Sequence, residues 1–388
     1  MGIFHQELSQ LEEAGLYRKL KELRSQTGPT VIVDGKELLM LSSNDYLGYC
    51  SHPAIKQAAQ KALHTWGAGS GASRLISGNT AIFRDLEKKI ARLKGTEDAL
   101  VFSTGYMANM GLLTAVAEKG DVIYSDALNH ASIIDGCRLS RAQVEIFPHR
   151  DTNVLETLLE KGKQFRRRFI ITDGVFSMDG DLAPLPRMAE LATAYSAQLI
   201  VDDAHGTGVL GSHGGGTAQH FGLEGQVDII MGTMGKALGC FGAFVAGSSE
   251  LREYLINRAR TFIFTTALPP AVIASALEAI DLIEREPLKR QALWDNVLFF
   301  RTGLNDLGFN TLESTTHIIP ILVGDAHTAV RLANDLMEEG LFIQAIRPPT
   351  VPEGASRLRT TLMATHTKQD LSRALAVLEK AGKKYNIL

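Results

Sequence analysis

Two strand-like stretches of this chain end in residues that can do chemistry together. Lys236 lies in Gly232-Thr233-Met234-Gly235-Lys236-Ala237-Leu238-Gly239, directly after the apolar run Val227-Asp228-Ile229-Ile230-Met231. A second apolar run, Gln198-Leu199-Ile200-Val201, ends in Asp202-Asp203-Ala204-His205-Gly206. An amine among small residues can form a Schiff base with an aldehyde. An acid at another strand end can hold a ring nitrogen protonated, so that the ring accepts electrons. A residue three positions further on can reach a ring hydroxyl. Thr233 can bond a phosphate, and Gly235 leaves room beside the amine. These are the requirements of a pyridoxal phosphate (PLP) site. The plain alternative is an acid pair and a histidine on an ordinary strand exit, with a solvated lysine.

Other loops add to the pattern. Ser103-Thr104-Gly105-Tyr106-Met107-Ala108-Asn109 follows a strand and opens a helix, where exposed amides suit a phosphate dianion. Asn129-His130-Ala131-Ser132 follows another strand, and its histidine can stack on a flat ring or sit satisfied in its loop. Thr172-Asp173-Gly174-Val175-Phe176-Ser177-Met178-Asp179-Gly180-Asp181 lacks calcium-loop spacing, and Ser177 is the better candidate there, as a hydrogen-bonding residue. Gly206-Thr207-Gly208-Val209-Leu210-Gly211 matches GxGxxG but runs into Ser212-His213-Gly214-Gly215-Gly216 rather than a helix, which removes the dinucleotide-binding context. There is no Walker A loop, no GxSxG and no HExxH. Arg166-Arg167-Arg168 reads as solvated surface rather than a nucleic-acid patch.

Short strands alternating with helices must position these residues. Candidate strands are residues 99–102, 122–125, 144–147, 169–172, 199–201, 229–232 and 243–246, which predicts an α/β domain with a mostly parallel sheet. Ligands bind at the carboxyl ends of such strands, and the polar residues above fall there. Ahead of them, residues 4–24 read as one amphipathic helix and residues 31–36 as a strand and hairpin turn. Pro53–Trp66 and the segment around Ile82–Leu93 are helical in pattern, with Gly95 as a C-terminal cap. Residues 269–303 read as one long helical stretch leaving the large domain. A smaller α+β part follows, with strands at 318–323, 342–346 and 357–361 and helices at 326–339 and 368–383. The expected division is an N-terminal helix and small strands over 1–50, a large domain over 51–285 and a small C-terminal domain over 286–388.

The bulk numbers are those of an ordinary globular enzyme. The 388 residues are 45 % hydrophobic and 21 % charged, with a net charge of −3, which argues against nucleic acid or an anionic membrane as partner. Cys50, Cys137 and Cys240 are far apart, as fits a reducing cytoplasm. No secretory leader and no membrane-spanning run is expected, and no metal site.

With these residues assembled, the chain resembles the α-oxoamine synthases, PLP-dependent transferases of fold type I. The resemblance rests on Ser43-Asn44-Asp45-Tyr46-Leu47-Gly48, Gly69-Ser70-Gly71, Ser103-Thr104-Gly105-Tyr106, Asn129-His130-Ala131-Ser132, residues 174–180, residues 202–208 and Thr233-x-Gly235-Lys236. It implies an acyltransferase that joins an amino acid to an acyl thioester with loss of CO2. It also implies that Lys236 carries the cofactor, Asp202 pairs with the pyridine nitrogen, His205 with the ring hydroxyl, and His130 stacks on the ring. Gly105, Tyr106 and Thr233 would help bind PLP with Ser177 nearby, and Thr266 would reach the phosphate from the partner subunit of a cytoplasmic homodimer. Asn44 and Arg347 would contact a substrate carboxylate, while Arg18 and Thr350 would line the acyl site. Residues 345–352, Ala-Ile-Arg-Pro-Pro-Thr-Val-Pro, are most similar to the member that joins L-alanine to a pimeloyl thioester, on CoA or a carrier protein, in biotin synthesis. Asp173 stands where other members have Glu, and no catalytic role is assigned to it. The alternatives are glycine with acetyl-CoA as substrates, a nucleotide-binding dehydrogenase, or a non-catalytic partner subunit, against which Lys236 argues.

Overall fold

The structure is a computed structural model and describes residues 2–388. In chain order the strands are β1 Thr30–Val33, β2 Lys36–Met40, β3 Asp98–Phe102, β4 Val122–Asp126, β5 Gln143–Phe147, β6 Arg168–Asp173 and β7 Gln198–Asp202. They continue with β8 Ile229–Thr233, β9 Ala243–Gly247, β10 Ile318–Gly324, β11 Leu341–Phe342, β12 Gln344–Ile346 and β13 Ser356–Thr361. The chain forms two compact units. One holds residues 49–176 and 182–290; the other holds residues 2–48, 177–181 and 291–388.

The larger unit is built on a seven-stranded sheet of order β3-β9-β8-β7-β6-β4-β5. All neighbours pair parallel except β9, which runs antiparallel to both β3 and β8. This is the mostly parallel α/β architecture expected from the alternating pattern. Its strands read as continuous apolar runs because both faces are covered. Phe169, Ile171, Ile200 and Ile229 enter one core, while Val122, Tyr124, Ile170, Leu199 and Ile230 enter another, as the two-residue side-chain period requires.

All seven expected strands form, each extended by a residue or two. The helices Pro53–Trp66 and Ala81–Lys94 match the pattern, and Gly95 adopts φ +67° as a left-handed cap. The expected helix over 269–303 is instead two helices, Pro270–Arg285 and Pro287–Asp306. Pro287 has no N–H to continue the first helix and disfavours helical geometry at Glu286. The GxGxxG stretch opens no dinucleotide helix: the next helical segment is the single turn Thr217–His220.

The second unit contains two three-stranded sheets, β1-β2-β11 and β10-β13-β12. Asp34 and Gly35, both at positive φ, make the tight turn between β1 and β2. The expected strand over 342–346 splits in two: Leu341–Phe342 pairs parallel with β2, and Gln344–Ile346 pairs antiparallel with β13. The expected N-terminal helix is also shorter. It covers only His5–Glu13, buries none of its residues and stops before Gly15. At φ +66°, Gly15 is outside the right-handed helical region, so the helix ends before it, and the His327 ring packs so close that a Cβ there would approach to 2.7 Å.

Candidate active site

The carboxyl edge of the large sheet gathers most of the expected residues. Phe102, Ala243 and Thr233 share one row across β3, β9 and β8, and Asp173, Asp202 and Met231 share another across β6, β7 and β8. Lys236 lies in the connection from β8 to β9. That connection is closed at its base: Met234 N–H and Thr233 Oγ1 both donate to Gly242 O, at 2.9 and 3.0 Å. Lys236 Nζ is 2.7 Å from Nε2 of the buried His205.

Asp202 is buried at the end of β7. Its carboxylate accepts from Asn109 Nδ2 at 2.8 Å and from Ala204 N–H at 3.0 Å. Asn109 comes from the helix Gly105–Val116 and also donates to Ser132 Oγ at 2.9 Å. Since Ser132 Oγ accepts there, its own proton faces His130 Nδ1, 2.7 Å away, and Ser132 N–H donates to the same nitrogen. Nδ1 is therefore the acceptor, and the hydrogen-bond pattern assigns the proton of the neutral ring to Nε2. Burial pushes the His130 imidazole below its ordinary pKa; Asp202 opposes this and the Lys236 charge adds to it.

Asp173 lies beside Asp202 on the neighbouring strand and accepts the His130 backbone N–H at 2.8 Å. Burial, and then the Asp202 charge, push its carboxyl well above the usual carboxylate range. Asn129 ties the His130 turn to the same strand end, donating to Ser125 Oγ and Ile171 O and accepting from Asp173 N–H.

Thr104 caps the helix Gly105–Val116: its hydroxyl accepts from Met107 N–H and its carbonyl from Ala108 N–H. The two leading amides, of Gly105 and Tyr106, lie ahead of these acceptors and suit an anion. A Cβ at Gly105 would meet no protein atom closer than 3.9 Å, so space stands in front of them. The Tyr106 hydroxyl pairs with Asp135, and Thr266 is exposed.

The other expected residues lie on the second unit. Asn44 Oδ1 accepts from both terminal nitrogens of Arg359, at 3.3 Å each, and Arg359 Nε donates to Ser177 O at 2.6 Å. Arg347 Nη2 donates to Tyr17 O at 2.6 Å, while its buried Nε has no partner. Burial, and then the like charge of Arg18, lower the Arg347 pKa below its ordinary value. Arg18 and Thr350 are exposed.

Asn109 in the larger unit and Arg359 in the second each bond an expected site residue, yet carried no role in the sequence reading. Both left a signal. Asn109 is a fully buried amide in a helix that otherwise buries small and aliphatic residues. Arg359 is one of two arginines in a strand buried along its whole length.

An ammonium beside an imidazole, a buried acid with two donors and a helix N-terminus with room before it fit a PLP molecule. The aminotransferase class I and II family model matches residues 36–378. The chain is 52 % identical over 384 residues to the 8-amino-7-oxononanoate synthase of Geobacter sulfurreducens, covering 98 % of each. It is 51 % identical over 389 residues to that of Thermoanaerobacter pseudethanolicus, covering 100 % of this chain and 98 % of the relative. A solved serine palmitoyltransferase from S. paucimobilis, with a bound PLP–myriocin aldimine, matches the full length of both chains with a TM-score of 0.95 at 31 % identity. The fold is thus that of a fold type I transferase, and its cofactor is pyridoxal 5'-phosphate. More narrowly, the chain belongs to the α-oxoamine synthase family, whose members are acyltransferases.

Proposed function

We propose that the chain condenses L-alanine with a pimeloyl thioester, of CoA or of a carrier protein, to give 8-amino-7-oxononanoate, CO2 and the free thiol in biotin synthesis. The observation that carries this reading is identity of about one residue in two, along the full length, to relatives of that name. PLP, when bound, supplies an electron sink for the deprotonated amino acid. Lys236 would hold it, Asp202 would face the ring nitrogen, His205 the ring hydroxyl and His130 the ring face. Gly105, Tyr106 and Thr233 would help hold it, with Ser177 nearby. Thr266 would do so across a homodimer, which we place in the cytoplasm.

The protein's own residues then move protons and hold charge. The Lys236 amine takes the α-proton of alanine and later returns a proton to the product. His205 sits at hydrogen-bond distance from that amine and orients it. His130 Nε2–H donates to the oxyanion that develops on the thioester carbonyl. Asn44, with Arg359 at its side, receives the alanine carboxylate, which leaves as CO2 after the thiol departs. Arg347 and Arg18 offer two adjacent cations, one with an unpartnered N–H, to the acyl group and its free carboxylate. Thr350 lines the same acyl site.

The test is a substrate panel read by product mass: L-alanine or glycine, each with pimeloyl or acetyl thioesters. The expected result is a kcat/KM highest for alanine with pimeloyl thioester. A higher value for glycine with acetyl-CoA would replace this reading with formation of 2-amino-3-oxobutanoate.

A further inference from the structure

Lys94 is a buried cation that the chemistry above does not use. It is the last residue of the helix Ala81–Lys94 and is 3 % exposed. Its three N–H donors are all taken: Asp203 Oδ2 at 2.5 Å, Thr207 Oγ1 at 2.7 Å and Gly215 O at 2.9 Å. With no donor left for a ligand, Lys94 is not itself a binding group. What it joins is the informative point. Asp203, Thr207 and Gly215 are the start, early part and end of the glycine-rich loop that leaves β7.

The other half of the Asp203 carboxylate closes the same loop. Its Oδ1 accepts from Thr217 N–H at 3.0 Å and from Thr217 Oγ1 at 2.7 Å. Gly206 and Thr207 N–H both turn back to Asp203 O. A Cβ at Gly216 would lie 1.7 Å from Asp203 Oδ2 and 2.9 Å from Lys94 Nζ, so the loop wraps the ion pair with no spare volume. Inside the segment gripped at 203 and 207 lies His205, and directly before it lies Asp202.

We infer that Lys94 is a positioning residue for the PLP site: its three-point grip on residues 203–215 sets where Asp202 and His205 stand. A buried ion pair is costly to desolvate, and an apolar pair of similar size is often as stable, so stability alone gives no reason for this one. Residues 206–225 hold eight glycines, and the loop's other ties, the buried Val209 and Leu210, Gln219 to the His213 and Gly215 amides and Arg290 to Ser212 O, all lie beyond Thr207, away from His205. The ammonium bonds Asp203 directly and also feels the Asp202 charge, so it bears on both carboxylates of the adjacent pair. The inference rests on the assignment of Asp202 and His205 to the cofactor.

The experiment titrates full-length chain, stripped of cofactor, with PLP. It reads the dissociation constant and the pH midpoint of the bound cofactor's visible band, with circular dichroism of the stripped chain as the fold check. Lys94→Met is expected to weaken PLP binding by about tenfold or more, equal to about 1.4 kcal/mol, and to move the band's midpoint. Lys94→Met with Asp203→Asn removes the stranded carboxylate, so it should fold as the native chain yet still bind PLP weakly. Thr207→Val keeps both charges but removes the hydroxyl that accepts from the Lys94 ammonium and donates to Asp203 O; about threefold weaker binding or more is expected, a fraction of what a charge-assisted hydrogen bond contributes. Native PLP affinity and an unmoved band midpoint in any folded one of these variants would overturn the inference. His205→Ala is the control: if it too binds and titrates as the native chain does, the cofactor assignment is at fault rather than the role of Lys94.

Discussion

Replacing Asn109 by leucine isolates the contact that ties the phosphate-side helix to Asp202. Asn109 is fully buried, and leucine is close to it in size, so the change leaves no large cavity. What is lost is one donor to Asp202 Oδ2 and one to Ser132 Oγ. A hydrogen bond to a charged acceptor contributes about 1.5–3 kcal/mol, and Ser132 can rotate to recover part of its own loss. The buried Asn109 Oδ1 has no partner, and removing it offsets some of the cost. The net expectation is about 1.5 kcal/mol, or about tenfold, in the rate of α-proton exchange of L-alanine. The assay is exchange into deuterated water followed by proton NMR, with PLP saturating. Because Ser132 also fixes the His130 tautomer, condensation with the thioester should fall further than exchange does. Exchange within twofold of the native rate would refute the claim that Asn109 supports Asp202 in the reaction.

Three further outcomes are expected. Lys236→Ala should leave no borohydride-reducible PLP adduct, read by peptide mass; an adduct on another lysine would contradict the assignment. Arg359→Leu should raise KM for L-alanine by an order of magnitude or more, since truncating one side of a buried charge pair costs about 2–5 kcal/mol; an unchanged alanine KM with altered thioester KM would place Arg359 elsewhere. His366 should make stability depend on pH. Burial pushes its imidazole down to about 4 from 6.5. Its Nδ1 accepts from Met363 N–H and its Nε2 bonds Met40 O, a pattern that requires the neutral ring. Because its folded pKa lies below its unfolded one, the stabilisation is complete above pH 6.5 and declines as pH falls toward 4. The shift amounts to about 3 kcal/mol. Urea midpoints across this range should fall less steeply in His366→Asn, and an identical slope would reject the attribution.

Much of the larger unit was legible because its sheet is buried on both faces. Strands such as Phe169–Thr172 and Ile229–Gly232 are continuous apolar runs, and polar residues begin where they end. Lys236, Asp202 and His205 could be read for the same reason: they follow those runs directly. The second unit was harder. Its sheet β1-β2-β11 joins residues about three hundred positions apart, and no local pattern announces that pairing. The N-terminal leucines suggested one long helix, but Gly15 turns to positive φ against the His327 ring, a tertiary partner that no local pattern announces. Asn109, Arg359 and Lys94 escaped because each sits inside a regular element, where helix or strand periodicity records only that a position is buried. A buried polar residue states that it has partners without naming them.

The one antiparallel strand of the seven-stranded sheet, β9, gives the Lys236 amine an unusual address. The exits of β3, β4 and β5 each lead within a few residues into a helix. Lys236 instead hangs from a connection whose two ends are neighbours in the same sheet, with Thr233 opposite Ala243. Its reach is therefore set by the length of that connection alone. A single residue inserted or deleted between 234 and 242 could not be absorbed by shifting a helix; it would lengthen or shorten the tether of the amine itself. Length variation should be tolerated in the loop after β5, which carries none of the site residues, long before it is tolerated here.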